Sequence, residues 1–228
     1  MRKVLIGTPA YDGRIDVYFA NSLVNTIKST PADMNIVTVY MAYDSLVQRA
    51  RNDLVKLALE EDFDDLIFID SDVEWNPEWV FKLLSYDHDV VGGIYPKKSD
   101  IHTFPVIPTE EGFKINEEGL IEVSKLATGF LRISKKALQE VWDASEEYQN
   151  EGRTNRMVFD IKVVNGQLVS EDNIFCEKWR SLGGKVYMDP SMTCNHIGIK
   201  KYVSNFKEYL KFIEEQNVGP NQIGRAHV

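Results

Sequence analysis

The stretch "DDLIFIDSDVEW", residues 64–75, decides the fold. Leu66, Ile67, Phe68 and Ile69 form a continuous apolar run that ends on two aspartates, Asp70 and Asp72, with one serine between them. A run of that length without alternation suits a strand buried on both faces, as in a parallel sheet covered by helices. Two carboxylates that repel each other at its carboxyl end call for a partner. In an extended chain their Cα atoms lie roughly 6.5–7 Å apart with side chains leaving the same side, so one divalent cation could answer both. The competing reading is an acidic turn that caps a helix starting near Asn76.

Working outward, the same kind of strand recurs. "KVLIGT" (3–8), "NIVTVYM" (35–41), "DLIFID" (65–70) and "DVVGGIYP" (89–96) are apolar or β-branched runs. Between them lie helix-like segments at 15–29, at 45–61 and from Asn76-Pro77 to about Leu84. In the second of these Leu46, Ala50, Leu54, Leu57 and Ala58 make the apolar stripe, and Ser45 is placed to cap it. Strand–helix alternation predicts a mainly parallel sheet flanked by helices. In the second half we expect a hairpin over 112–126 turning near Glu118-Gly119, and a strand at 127–134 leading into a helix at 135–145. A further hairpin over 157–170 has Asn165-Gly166 as its turn. Then follow a helix at 171–184, a strand at 185–189 and a last helix at 202–216.

Length and composition set limits. A chain of 228 residues fits one α/β domain. A hydrophobic fraction of 43% and a net charge of -9 describe an ordinary globular protein and argue against nucleic-acid binding through a broad basic face. The two cysteines imply no disulfide framework and fit a reducing compartment. The apolar run near the start is too short for a signal peptide, and no segment is long enough to span a membrane, so a cytoplasmic location is expected. We expect a single domain over 1–222. Residues 223–228, "IGRAHV", resemble the in-frame translation of a sequencing adapter and are read as a non-native tail.

Taken together, Thr8-Pro9, "RARN" (49–52), "FIDSD" (68–72), "GGIYPKK" (92–98), "ATGFLRISKKAL" (127–138), "SEDNIFCEKWRSLGGKVYMDP" (170–190) and "HIG" (196–198) resemble a nucleotide-sugar-dependent glycosyltransferase of GT-A fold. The likeness is to the family 2 type found in phage and bacteria. It implies an α/β, Rossmann-like mixed sheet, a UDP- or GDP-sugar donor, and a glycan, lipid or protein acceptor. It further implies Mn²⁺ or Mg²⁺ on Asp70, Asp72 and His196, with an imidazole favouring Mn²⁺. By the same likeness Thr8, Pro9, Arg49 and Asn52 meet the nucleotide, and Asp172, with Glu171, activates the acceptor. Lys97 or Lys98 would stabilise the departing diphosphate. A nucleotidyltransferase is less well matched, because "TPAYDGRID" is no glycine-rich basic loop, and a non-catalytic sugar-binding module is a third reading.

Overall fold

The apolar run at the centre of the sequence is a central strand. A computed structural model describes residues 1–99, 101 and 103–215; the expected tail 223–228, residue 216 of the last expected helix and the end of the expected domain lie outside them. In chain order the first half comprises β1 (Arg2–Ala10), α1 (Val17–Lys28), β2 (Met34–Ala42), α2 (Val47–Glu60), β3 (Asp65–Ile69), β4 (Val73–Glu74), α3 (Glu78–Ser85) and β5 (Val90–Ile94). There follow β6 (Val106–Pro108), β7 (Ile121–Leu126), β8 (Phe130–Ser134) and α4 (Lys135–Asp143). Two small hairpins come next, β9 (Glu147–Asn150) with β10 (Arg153–Arg156), and β11 (Lys162–Val164) with β12 (Gln167–Val169). The chain then forms α5 (Glu171–Ser181), β13 (Val186–Thr193), β14 (Asn195–Ile197), β15 (Lys201–Tyr202) and α6 (Phe206–Glu215).

Eight strands form one mixed sheet in the order β2-β1-β3-β8-β5-β13-β7-β6. β8 and β7 run against the other six. The sheet is therefore α/β and mixed, with most strands pointing one way and helices on both faces. β3 alternates cleanly between two cores. Leu66 and Phe68 pack with Leu54 and Val55 of α2 and with Phe175 of α5, whereas Ile67 and Ile69 pack with Phe19 of α1 and Val80 of α3. Each such side chain contributes about 1.5–3 kcal/mol on burial, which is why the run is apolar at every position.

With both faces apolar, hydrophobicity alone does not set the register of β3; its charged ends do. Asp65 is fully buried and holds Arg132 at 2.5 Å and Arg2 at 2.6 Å. A slip by one residue would part Asp65 from both arginines or draw Asp70 into the core. At the other end β3 stops where Val73 N–H donates to the Asp70 carbonyl at 3.0 Å, closing a turn over Asp70–Val73.

Several sequence expectations shift. Ser45 does not cap α2: the helix begins after Leu46, and the Asp44 carboxylate instead accepts from Leu46 N–H at 2.9 Å. The expected hairpin over 112–126 is present in reduced form: its turn is closed by Gly119 N–H on Asn116 C=O and Asn116 N–H on Leu120 C=O, with one antiparallel bridge between Ile115 and Ile121, while β7 pairs along its length with β13 and β6. The Asn165-Gly166 turn is present, with φ of 52° and 77°, as a two-residue hairpin requires. The β9–β10 hairpin, turning through Glu151 and Gly152, had no clear signal in its polar sequence.

Candidate active site

In open α/β sheets ligands bind beyond the carboxyl ends of the parallel strands. Here β1 and β3 pair only as far as Gly7 and Phe68, while β1 runs on beside β2 to Ala10. Thr8, which is buried, and Pro9, which is half-buried, therefore lie just past the last β1–β3 pair, on the edge where the Asp70–Val73 turn follows β3. The loop after β1 is tied to that turn by Asp16 N–H donating to Ser71 C=O at 2.9 Å.

The turn separates the two aspartates. The expectation of parallel side chains assumed extended backbone, and the backbone bends instead. Asp70 keeps the direction of Leu66 and Phe68, toward α2 and α5, and its Oδ1 accepts from Arg51 Nη2 at 3.0 Å. Arg51 Nε lies 3.4 Å from Glu171 Oε1 at the start of α5. Asp72 goes the other way. β14 pairs with β4 so that His196 stands opposite Val73, and His196 Nε2 comes within 3.5 Å of Asp72 Oδ1. Lys98 Nζ contacts Asp72 Oδ2. Asp72 and His196 thus meet as expected, but Asp70 does not join them. Among the described residues no three metal-ligating side chains share one place.

His196 is oriented as a ligand would be. Its Nδ1 lies 2.8 Å from the Pro96 carbonyl, which can only accept, so Nδ1 carries the proton. Nε2, the other ring nitrogen, faces Asp72 Oδ1. Binding the second ring nitrogen to a backbone carbonyl is the usual support for a metal-bound imidazole. Burial pushes the Asp72 carboxyl up, but hydrogen bonds and charge from His196 and Lys98 outweigh it and hold the group below its ordinary value.

Gly129 stands between the two halves of the site. Its C=O accepts from Asp70 N–H at 3.1 Å and its N–H donates to the Tyr95 hydroxyl at 3.2 Å. A Cβ there would lie 2.6 Å from Tyr95 Oη and 2.7 Å from Asp70 Oδ2, so any larger residue would have to push the tyrosine and the aspartate apart. Tyr95 is kept a neutral phenol: burial first, then the charges of Asp70 and Asp172, push its pKa well above the ordinary value. Its ring meets His196 edge-on, with centroids 4.9 Å apart.

At the start of α5, burial raises the Glu171 carboxyl above its ordinary value despite the neighbouring Arg51, with Asp172 and Asp70 adding to the rise. Asp172 Oδ1 accepts from both the Ser170 hydroxyl and Asn173 N–H, the latter at 2.7 Å. Both bonds end on one oxygen, and Oδ2 takes part in neither.

The remaining expected residues are placed differently. Arg49 makes a two-pronged bond to Asp44, at 2.8 and 2.7 Å, on the wall of a neighbouring cleft of about 590 Å³ bounded by α2 and the β9–β10 hairpin. Asn52 is fully buried, and its amide is committed to Phe159: it accepts from Phe159 N–H at 2.7 Å and donates to Phe159 C=O at 3.0 Å. Arg49 and Asn52 therefore do not share a face toward Thr8 and Pro9. Lys97 is exposed, and Lys98 is the lysine at Asp72. Arg51 was missed, although a signal existed. It stands three, four and seven residues before Leu54, Val55 and Ala58, all buried, so helical spacing puts it on the apolar face.

With this geometry in hand, comparison with known proteins is informative about fold. No family model and no curated protein matches the chain. Solved structures do. A197 from STIV superposes over 87% of this chain and 86% of its own, with a TM-score of 0.59 and 20% identity. The two share a fold. A glycosyltransferase involved in the glycosylation of the major capsid of PBCV-1 is also similar, with a TM-score of 0.34 and 14% identity over 60% of this chain and 62% of that one. S. aureus TarS 1-349 gives a TM-score of 0.45 and 14% identity over 93% of this chain and 64% of that one. This chain spans under two thirds of those last two, and neither is close enough to bear on function. Among the described residues, no helix is long and apolar enough to cross a membrane.

Proposed function

We propose that the protein transfers a sugar from a nucleoside-diphosphate sugar to an acceptor hydroxyl, assisted by a divalent cation. One observation carries the reading. Carboxylates from the end of β3 and from the start of α5, Asp70 and Glu171, converge on Arg51 at the carboxyl edge of the strands, beside the Asp72–His196 pair. The order of the sequence motifs along residues 3–198 supports it.

Asp72 and His196 would hold the cation, with Asp70 on the adjoining wall. Two protein ligands suffice, because Mg²⁺ and similar ions bind through one or two carboxylates plus substrate phosphates. Mn²⁺ or Mg²⁺ held there would offset the negative charge that grows on the diphosphate as the sugar departs. The nucleotide would lie past the end of the β1–β3 pairing, beside Pro9, with Thr8 buried beneath. Arg51 keeps Asp70 and Glu171 apart and in place. In an inverting transfer Asp172 Oδ2 takes the acceptor's proton while the acceptor oxygen bonds to the anomeric carbon and the bond from that carbon to the diphosphate oxygen breaks.

Thermal-shift measurements with UDP, GDP and CMP, each with and without Mn²⁺, test this reading. A nucleoside diphosphate should raise Tm, and more so with Mn²⁺. Stabilisation by glycans alone, indifferent to nucleotide and metal, would instead mark a sugar-binding module.

A further inference from the structure

Lys98 makes a contact that donor binding alone leaves unexplained. Its Nζ faces Asp72 Oδ2 while His196 Nε2 stands 3.5 Å from Oδ1, so both oxygens of this carboxylate are engaged. The lysine reaches them across Gly198. A methyl group on that glycine would lie 3.2 Å from Lys98 Cδ and 3.6 Å from Cε. Gly198 is held there because Ile197 N–H donates to the Asp72 carbonyl at 2.8 Å. The segment before Lys98 also supplies the Pro96 carbonyl that sets the tautomer of His196. One short segment therefore orients the imidazole and brings an ammonium to the same aspartate.

We propose that Lys98 is a tethered cation that fills a divalent ion's place on Asp72 in the free protein, so that the ion enters only by displacing it. An ammonium and a divalent ion on one carboxylate repel each other, so the two occupants exclude one another. Lysine suits such a role because it is a compact charge on a flexible stem and can swing away, whereas arginine's fork is fixed to its partner. The contact is also weak enough to yield. Lys98 and Asp72 side chains are 37% and 36% exposed, and pairs so open to solvent are only modestly stabilising. A displaced ammonium finds a new partner when a diphosphate arrives, so ion and diphosphate bind together better than the ion binds alone. The proposal rests on reading Asp72 as the ion's ligand, not on sugar transfer.

The test is Mn²⁺ binding to the full chain, followed by electron paramagnetic resonance of the free ion, with no nucleotide or sugar present. Lys98→Met keeps the stem over Gly198 and removes the charge. It should bind Mn²⁺ more tightly than the parent, by up to about fivefold. Adding UDP should tighten Mn²⁺ binding less in Lys98→Met than in the parent. Lys98→Arg, which keeps the charge, should not show the gain. Asp72→Asn should remove the binding in both the parent and the Lys98→Met background, with circular dichroism confirming the fold. Equal or weaker Mn²⁺ affinity in Lys98→Met overturns the proposal. So does binding that survives Asp72→Asn, or no binding in either chain. A protein that binds Mn²⁺ in this pattern but no nucleotide would keep the role of Lys98 and discard the donor reading.

Discussion

Replacing Arg51 by methionine keeps most of the side chain's volume and removes its charge, which separates packing from electrostatics. The guanidinium stands 3.0 Å from Asp70 and 3.4 Å from Glu171, and the arginine side chain is only 5% exposed. Without it two carboxylates face each other across a buried gap. Deleting one partner of a fully buried pair costs about 3–5 kcal/mol. Asp70 keeps 27% exposure and regains some hydration. Relief is added because Arg51 Nε and Nη1 have no hydrogen-bond acceptor in the folded protein. Together these bring the expected loss to about 2–3 kcal/mol. For a chain of this size that is a fall in Tm of about 4–12 °C. Urea unfolding gives the free energy directly. The double variant Arg51→Met/Glu171→Gln removes the carboxylate that the arginine neutralises, and should recover about 1 kcal/mol, within the range of coupling between residues of one network. An Arg51→Met protein as stable as the parent would refute the reasoning. Strict additivity in the double variant would do the same.

Asn52→Ala should cost about 2–4 kcal/mol, because it strands the buried N–H and C=O of Phe159, yet leave nucleotide affinity unchanged when measured well below Tm. Calorimetry showing weakened nucleotide binding with unaltered stability would restore the contact expected from the sequence. A second effect depends on pH. The raised pKa of Glu171 means the folded protein holds that proton more tightly than the unfolded chain does. Its stabilising contribution is therefore complete below the ordinary carboxyl value and is lost as pH rises through the raised one. Glu171→Gln cannot ionise, so its stability relative to the parent should climb as pH rises above the ordinary carboxyl range, and a difference that stays flat counts against burial of the Glu171 carboxyl as the cause.

Much of the framework was legible because it follows from burial. A run such as Leu66–Ile69 has one stable home, a strand covered on both faces, and the helices between such runs declare themselves by spacing. The reversal of β8 between β3 and β5 was not legible, since antiparallel and parallel pairing ask for the same apolar residues in a core strand. The site was readable as a set of residues but not as a geometry. Asp70 and Asp72 look equivalent in a D-x-D, yet one turn hydrogen bond sends them to different partners. Asn52 reads as a polar residue available to a ligand until tertiary packing brings the Phe159 backbone against it. Lys98 owes its place to Gly198, one hundred positions away in the sequence, and no local pattern carries that information.

Release of nucleoside diphosphate bears most directly on the central claim. Purified protein is incubated with a panel of UDP- and GDP-sugars and Mn²⁺, with water as the acceptor of last resort, and the diphosphate is quantified. The account predicts slow release from at least one donor. That release should fall about 10²-fold or more in Asp172→Asn, with donor binding retained, and should no longer respond to Mn²⁺ in Asp72→Asn. A folded parent protein that neither binds nor cleaves any donor, with or without metal, would contradict it.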